Sequence, residues 1–441
     1  MRRFADLLLV IGTGVILFAV AVVHARYRDS YDLTQFASPG GYATYLALLL
    51  LGAYGTGLPE IPRTLGGSLG SAAAAGIGSS AVFSLVQALT DPLLLPRFVV
   101  FATPVAVVPL YVSCWRLAQL GDARRRASER VLVIALADEA KAIAEDIDIA
   151  PERPVTIVGV IDPVTDGGSD DDDEIIRSAG ALTATLLLLS ERAQAQEHVV
   201  RQAALLHEGG MRVRTVAAFY DEWLGKLPIS EIGRVSLMFD IGDVHQPLYT
   251  RTKRFIDVVV ALLALPAVLS AVPFVVIGNL VANRGPLLFR QARVGRSGAT
   301  FTMLKFRSMI PTATDDGAGT WTAADDPRIT SFGRLLRRTH LDELPQALNV
   351  LAGDLSIVGP RPEQPHYVRE LEAAIPFYSM RHVVRPGITG WAQVKWWYAA
   401  SEIDTYQKLQ YELYYLRHQG LALDTKICAR TVRHVFRGWG T

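Results

Sequence analysis

The sequence predicts a membrane-embedded α/β protein in three parts. A four-helix transmembrane bundle spans residues 1–121, a doubly wound α/β domain spans 122–250, and an α+β domain spans 251–441, opening with a membrane-entering helix at 255–282. Three observations lead there. Four apolar stretches crowd the first quarter of the chain. Strand-like and helix-like runs alternate from Arg130 onward. A fifth apolar run, interrupted by two prolines, precedes a final third dense in arginine, glycine and acidic residues. A 441-residue chain that is 50% hydrophobic yet 20% charged has the composition of apolar spans joined to water-facing domains.

The four N-terminal stretches cover residues 5–24, 42–57, 69–89 and 98–115. Each approaches the roughly 20 residues a helix needs to cross the hydrocarbon layer, where backbone polar groups must be paired within the segment. Arg2 and Arg3 precede the first span, and Arg116, Arg124, Arg125 and Arg126 follow the fourth, so both ends of the bundle are expected in the cytoplasm. An even number of crossings agrees. A cleaved signal peptide fits less well, because no small-residue cleavage site precedes a soluble domain and further spans follow.

Short apolar strands at 131–135, 155–162, 186–189 and 213–216 alternate with helical patterns at 139–147 and 192–208, as in parallel βαβ units. The expectation is a Rossmann-like cytoplasmic domain, with the acidic run 169–174 as a solvated loop. A dinucleotide site would need a glycine-rich turn after the first strand so that pyrophosphate could approach the backbone. The chain reads Ala135-Leu-Ala-Asp-Glu139 there, which favours a domain that packs or regulates without a cofactor.

The fifth apolar run follows Lys253 and Arg254 and contains Pro266 and Pro273. A full crossing would put the last third of the chain on the side away from the cytoplasm. Proline removes an intrahelical hydrogen bond and clashes with the preceding turn, so a helix that bends and leaves on the side it entered is expected.

The final third holds the candidate chemistry. A strand and turn over 285–295 and a return strand over 301–309 place Lys305 and Arg307 on one face, either as a grip for phosphate or as a solvated face. Asp342 and Glu343 precede Pro345 and a short helix ending at Gly353. Adjacent carboxylates there serve as caps, or as a nucleophile beside a metal ligand. Arg337 and Arg338 lie close enough in sequence to neutralise shifting charge. Gly359-Pro-Arg-Pro362 and Arg385-Pro-Gly-Ile-Thr-Gly-Trp391 are stiff turns that aim Arg361 and Arg385, and several guanidinium groups around one acid pair suggest a pyrophosphate site.

Bulk properties exclude other classes. A net charge of +1 gives no support for nucleic-acid binding, and Cys114 and Cys428 have neither disulfide nor zinc-ligand spacing. The aromatic cluster Lys395-Trp-Trp-Tyr398 and the basic, aromatic run 430–439 suit either a membrane interface or a core.

Six segments in order then carry a resemblance over about residues 251–437: Lys253-Arg254-Phe-Ile-Asp257, 285–295, Lys305-Phe-Arg307, Leu341-Asp-Glu-Leu-Pro345, Gly359-Pro-Arg-Pro362 and Arg385-Pro-Gly-Ile-Thr-Gly-Trp-Ala-Gln-Val394. Together they resemble the bacterial sugar transferase family, the monotopic polyprenyl-phosphate phosphoglycosyl transferases. The N-terminal spans and Rossmann-like domain resemble its large, exopolysaccharide-priming branch.

The resemblance implies a phosphoglycosyl transferase catalytic domain with a re-entrant helix, in a multi-pass protein of the bacterial cytoplasmic membrane whose catalytic domain faces the cytoplasm. It also implies Mg²⁺, a UDP-sugar donor, an undecaprenyl phosphate acceptor and contact with membrane lipid. Asp342 would attack the donor and release UMP, Glu343 would be catalytic as the metal ligand, and Arg337 would bind phosphate. Lys305, Arg307, Arg361 and Arg385 would be supporting phosphate-binding residues. A homodimer through the N-terminal domains is compatible with this organisation. Two departures stand out: no Ser-Pro pair marks the helix bend, since Ser270 lacks a following proline, and Glu412 stands where the family often has aspartate, while Asp424 keeps its acid.

Overall fold

Each N-terminal apolar stretch forms one helix in the computed structural model, which describes residues 2–27, 39–58, 64–90, 94–149, 155–163, 173–229, 247–283, 285–310, 326, 328–396 and 402–436. The helices are α1 (Arg2–Tyr27), α2 (Pro39–Gly55), α3 (Leu65–Thr90) and α4 (Arg97–Ser128). Three contain stretches long and apolar enough to cross a membrane, Phe4–Arg26, Leu65–Ala88 and Arg97–Leu120. A fourth such stretch, Leu248–Asn283, lies later in the chain. The 17-residue α2 is shorter, about 26 Å at 1.5 Å per residue, and packs between α1 and α3.

Small residues let these helices approach closely. A Cβ on Gly52 would lie 3.0 Å from the carbonyl oxygen of Ala75, and one on Gly76 would lie 2.8 Å from Pro104. Some polar groups pair between the helices: the Tyr45 hydroxyl donates to Val100 O at 2.6 Å and shares a hydrogen bond with Ser80 Oγ at 2.8 Å. Phe4, Ile11, Phe18, Ile77, Phe101 and Val105 point outward, an arrangement that suits lipid rather than water.

The α/β domain follows, with β1 (Arg130–Ile134), α5 (Ala137–Ile149), β2 (Thr156–Ile161), α6 (Glu174–Ala181), β3 (Leu186–Leu189), α7 (Glu191–Gln194), α8 (Glu197–Glu208), β4 (Arg212–Thr215) and α9 (Val216–Phe219). Its four strands are all parallel in the order β2-β1-β3-β4. The central strands β1 and β3 are buried on both faces, which is why they read as unbroken aliphatic runs. The helix expected over 192–208 is two helices, α7 and α8, separated near Ala195.

The chain divides into two compact units, Met1–Leu224 and Gly225–Thr441. Residues 225–229, read from sequence with the middle domain, pack within the second unit. Leu227 N–H donates to Gln410 O, Lys226 Nζ to Gln407 Oε1, and Trp391 Nε1 to Gly225 O.

The second unit begins with α10 (Pro247–Gly278), which runs through Pro266 and Pro273 as one helix and ends in a π-helical turn, Asn279–Asn283. One stripe of α10, Ala261, Val268 and Val275, packs on Phe306, Leu336, Val350 and Leu355. The rest of the unit comprises the hairpin β5 (Leu288–Val294) and β6 (Thr300–Phe306), then α11 (Ser331–Arg338), α12 (Gln346–Ala352), β7 (Ser356–Val358) and α13 (Pro365–Ala374). It ends with β8 (Gly387–Thr389), α14 (Trp391–Lys395), α15 (Glu402–His418) and α16 (Leu421–Phe436). The acidic run at 169–172, Trp397, Tyr398 and residues 437–439 of the C-terminal run lie outside the described residues.

Candidate active site

Asp342 and Glu343 lie in a 3₁₀ turn, Leu341–Glu343, just before α12 rather than inside its first turn. His340, in the left-handed region at φ 53°, swings the chain from α11 into this turn. The two side chains then meet different surroundings. Glu343 Oε1 accepts from Lys305 Nζ at 2.7 Å and lies 3.9 Å from Arg361 Nη2. Asp342 is 8% exposed, and among the described residues its carboxylate has no hydrogen-bond or ion-pair partner.

These surroundings push the pair apart. Burial alone would raise the Glu343 carboxyl, but the Lys305 ammonium and Arg361 guanidinium outweigh it and hold it at about 2. Burial also raises Asp342, the neighbouring Glu343 adds to that, and Lys305 and Arg337 only partly offset it, so Asp342 stays above the usual carboxylate range. Two acids one residue apart therefore differ in proton affinity and in availability.

Close packing positions the cations. Thr330 caps α11 by accepting from Gly333 N–H at 2.9 Å, and the Thr330 hydroxyl also meets Asn283 Oδ1. Gly333 lies so near Ser308 that an added Cβ would be 1.8 Å from the Ser308 carbonyl oxygen. That approach brings α11 onto the end of β6, where Arg337 Nε donates to Ser308 Oγ at 3.1 Å. Lys305 reaches Glu343 from β6.

The two stiff turns meet through their glycines. β7 pairs in parallel with β8, and a Cβ on Gly387 would fall 2.1 Å from Gly359 N. Arg381 Nη2 donates to Arg361 O at 2.7 Å, and Glu412 holds the Arg381 fork at 2.7 and 2.8 Å. Arg293 donates from Nη1 to Pro362 O at 3.0 Å on the other side of the turn.

The structure thus gathers Asp342, Glu343, Lys305, Arg337 and Arg361. Arg307 is buried and commits Nε to Pro286 O at 3.1 Å. Arg385 is not with the pair: its Nε donates to Gly353 O at 3.1 Å, past the far end of α12. Ser308, Arg293, Arg381 and Glu412 were not among the sequence candidates for this site. Only the acid substituted at 412 gave any signal, because the other contacts join residues 20 or more positions apart.

In the first unit, the turn after β1 holds a carboxylate of its own. Glu139 Oε2 accepts from Leu136 N–H at 3.3 Å, and Arg192 lies 3.7 Å from Glu139. An acid side chain already meets the donor at the start of α5 where a phosphate would approach.

Comparison with known proteins follows the same division. The bacterial sugar transferase family matches residues 248–438. The UDP-N-acetylgalactosamine-undecaprenyl-phosphate N-acetylgalactosaminephosphotransferase of Aeromonas hydrophila is 40% identical over 194 residues, 44% of this chain and 46% of that protein. The undecaprenyl-phosphate glucose phosphotransferase of Komagataeibacter xylinus is 31% identical over 320 residues, 70% of this chain and 59% of that protein. The uncharacterized sugar transferase EpsL of Bacillus subtilis (strain 168) is 38% identical over 187 residues, 42% of this chain but 86% of that protein. The matched stretch spans about half the length of the Aeromonas and Komagataeibacter relatives. The family match holds the acid pair and every cation gathered around it, and with the 86% coverage of the Bacillus protein the chain belongs to the bacterial sugar transferase family.

Proposed function

We propose that this protein transfers a sugar 1-phosphate from a UDP-sugar to undecaprenyl phosphate through a phosphosugar-aspartate intermediate, releasing UMP and priming exopolysaccharide or other glycan synthesis. One observation carries the reading: of two adjacent acids, Glu343 is ion-paired and held ionised, while Asp342 is buried, of raised proton affinity and unpartnered among the described residues. A carboxylate that is not neutralised by a contacting cation keeps a free lone pair for attack. The name of the Aeromonas relative carries both a UDP-sugar and undecaprenyl phosphate, and that of the Komagataeibacter relative carries undecaprenyl phosphate, which supports the same donor and acceptor classes.

In the first step an Asp342 carboxylate oxygen attacks the phosphorus that bears the sugar. The bond from that phosphorus to the bridging oxygen breaks, and UMP leaves with the electron pair. In the second, an oxygen of undecaprenyl phosphate attacks the same phosphorus and the carboxylate departs. Lys305, Arg337 and Arg361 neutralise charge on the phosphate oxygens as it moves. The split reaction lets a water-soluble donor and a lipid acceptor use one site in turn.

Mg²⁺ fits this site. Among the described residues no cluster of three or more His, Cys, Asp or Glu side chains exists, and the pair offers hard, ionised oxygen at Glu343. Such a donor set suits an ion completed by substrate phosphates and water. Glu343 would hold it, with Lys305 yielding its contact, and the ion would supply positive charge to the phosphates.

Both ends of α10 support a re-entrant helix, and we propose that the α+β domain it carries faces the cytoplasm. Lys253 Nζ donates to Asp424 Oδ2 at 2.7 Å near the start of α10, and Asn283 Nδ2, in the π-helical turn after it, donates to Arg307 O at 2.8 Å, so both ends dock on one α+β body. A straight 36-residue helix would be about 54 Å long, well beyond a hydrocarbon core of about 30 Å, and the two prolines allow a bend.

The test is an assay of purified protein in detergent with Mg²⁺, undecaprenyl phosphate and a panel of UDP-sugars, scoring the nucleotide released. UMP that disappears in Asp342→Asn is expected. UDP release would mean simple glycosyl transfer and overturn the reading.

A further inference from the structure

Two arginines from distant parts of the sequence, Arg254 and Arg385, meet at the C-terminal end of α12. Arg254 donates from Nη1 to Val350 O at 2.5 Å and from Nη2 to Leu351 O at 2.9 Å, and Arg385 donates from Nε to Gly353 O at 3.1 Å. Arg296, exposed in the turn between β5 and β6, adds a third positive charge. Burial, then the Arg254 and Arg296 charges, lower the Arg385 pKa. Among the described residues no carboxylate forms an ion pair with any of the three. Asp257, the acid that acts on Arg385, already accepts from Ile357 N–H.

Helix capping accounts for part of this but not all. One cation is enough to complement a helix end, and α12 has only seven residues, so two guanidinium groups there, with the Arg296 charge acting on Arg385, exceed what its carbonyls require. A guanidinium carries five N–H donors, and the contacts above leave most of those on Arg385 and several on Arg254 for another acceptor. The location points to the acceptor's chemistry. Arg254 directly precedes Phe255, which is 70% exposed and starts the outward apolar face of Phe255, Val259, Leu262 and Leu263 on α10. With that face in the hydrocarbon, Arg254 lies at the depth of lipid phosphates.

We propose that Arg254, Arg385 and Arg296 form a binding site for the phosphate group of a membrane lipid, separate from the Asp342–Glu343 pair and about 10 Å away along α12. The proposal rests on the reading of α10 as membrane-embedded. Anionic phospholipid and undecaprenyl phosphate offer the same group, and the test distinguishes them.

Native mass spectrometry of the full chain, released from micelles doped with phosphatidylglycerol, phosphatidylcholine or undecaprenyl phosphate, counts retained lipid. Wild type retains phosphatidylglycerol over phosphatidylcholine, and the Arg296→Glu/Arg385→Gln variant loses about tenfold in that retention, equivalent to about 1.4 kcal/mol. Loss of undecaprenyl phosphate alone supports the site with the acceptor as its lipid. Unchanged retention of both overturns it. Arg296→Glu alone, an exposed position with no side-chain partner among the described residues, serves if the double variant does not fold. Lipid retention needs no turnover, so it is read equally in Asp342→Asn. Protection of Leu263→Cys from a water-soluble maleimide separately reports whether α10 is embedded.

Discussion

Ionising Asp342 costs the folded protein free energy, because burial raises its pKa and Lys305 and Arg337 compensate only in part. An acid with a raised folded-state pKa makes the fold less stable as pH rises from the ordinary carboxylate range through the raised value. Asp342→Asn removes that charge, so its Tm at pH 7 should equal or exceed that of wild type while UMP formation falls at least about a thousandfold. The acid limb of kcat/KM in wild type should lie above the ordinary carboxylate range, as a pH profile would report. Glu343 has the opposite sign. Its pKa is depressed from 4.5 to about 2, so its stabilisation is present above 4.5 and is lost as pH falls toward 2. Glu343→Gln should cost on the order of 2 kcal/mol at pH 7, by denaturant unfolding in micelles, and flatten the acid side of the stability curve.

Packing between elements holds those residues in place, and Gly333 is the sharpest instance. A methyl there meets the Ser308 carbonyl, a backbone atom that cannot rotate away, so Gly333→Ala should cost about 1–3 kcal/mol and displace Arg337 from Ser308. Lower Tm together with lower kcat/KM is the expected pair of readings. The buried Arg381–Glu412 pair carries similar weight: burial opposes the Arg381 charge, Glu412 more than restores it, and Glu412→Ala should destabilise by about 3–5 kcal/mol through the stranded guanidinium. Such contacts explain what sequence could and could not tell. Asp342, Glu343, Lys305, Arg337 and Arg361 stand in short motifs whose chemistry is local, so they were legible. The partners that aim them, Ser308 for Arg337 and Arg381 for Arg361, are joined only by folding. Arg385 was legible as a stiffened cation, but its place at the Gly353 end of α12 rests on a bond to a carbonyl 32 residues away. The β7–β8 pair, three residues per strand, is too short for periodicity to reveal.

At the level of the whole chain, the apolar periods showed the long helices and the strand–helix alternation showed the parallel sheet, because long repetitive patterns survive without tertiary information. The family match, residues 248–438, lies within the second unit, which also holds Asp342 and Glu343. A chain of residues 225–441 should therefore fold in detergent and retain UMP-forming activity, within about tenfold of the full protein in kcat/KM. The central claim is that Asp342 carries the sugar phosphate, and intact mass spectrometry after incubation with Mg²⁺ and a UDP-sugar, without lipid acceptor, tests it most directly. Added mass equal to one sugar phosphate is expected, mapping to the peptide with Asp342, absent in Asp342→Asn and discharged by undecaprenyl phosphate. A wild-type enzyme that turns over with acceptor yet shows no such adduct, or shows it on another residue, would rule out Asp342 as the carrier of the sugar phosphate.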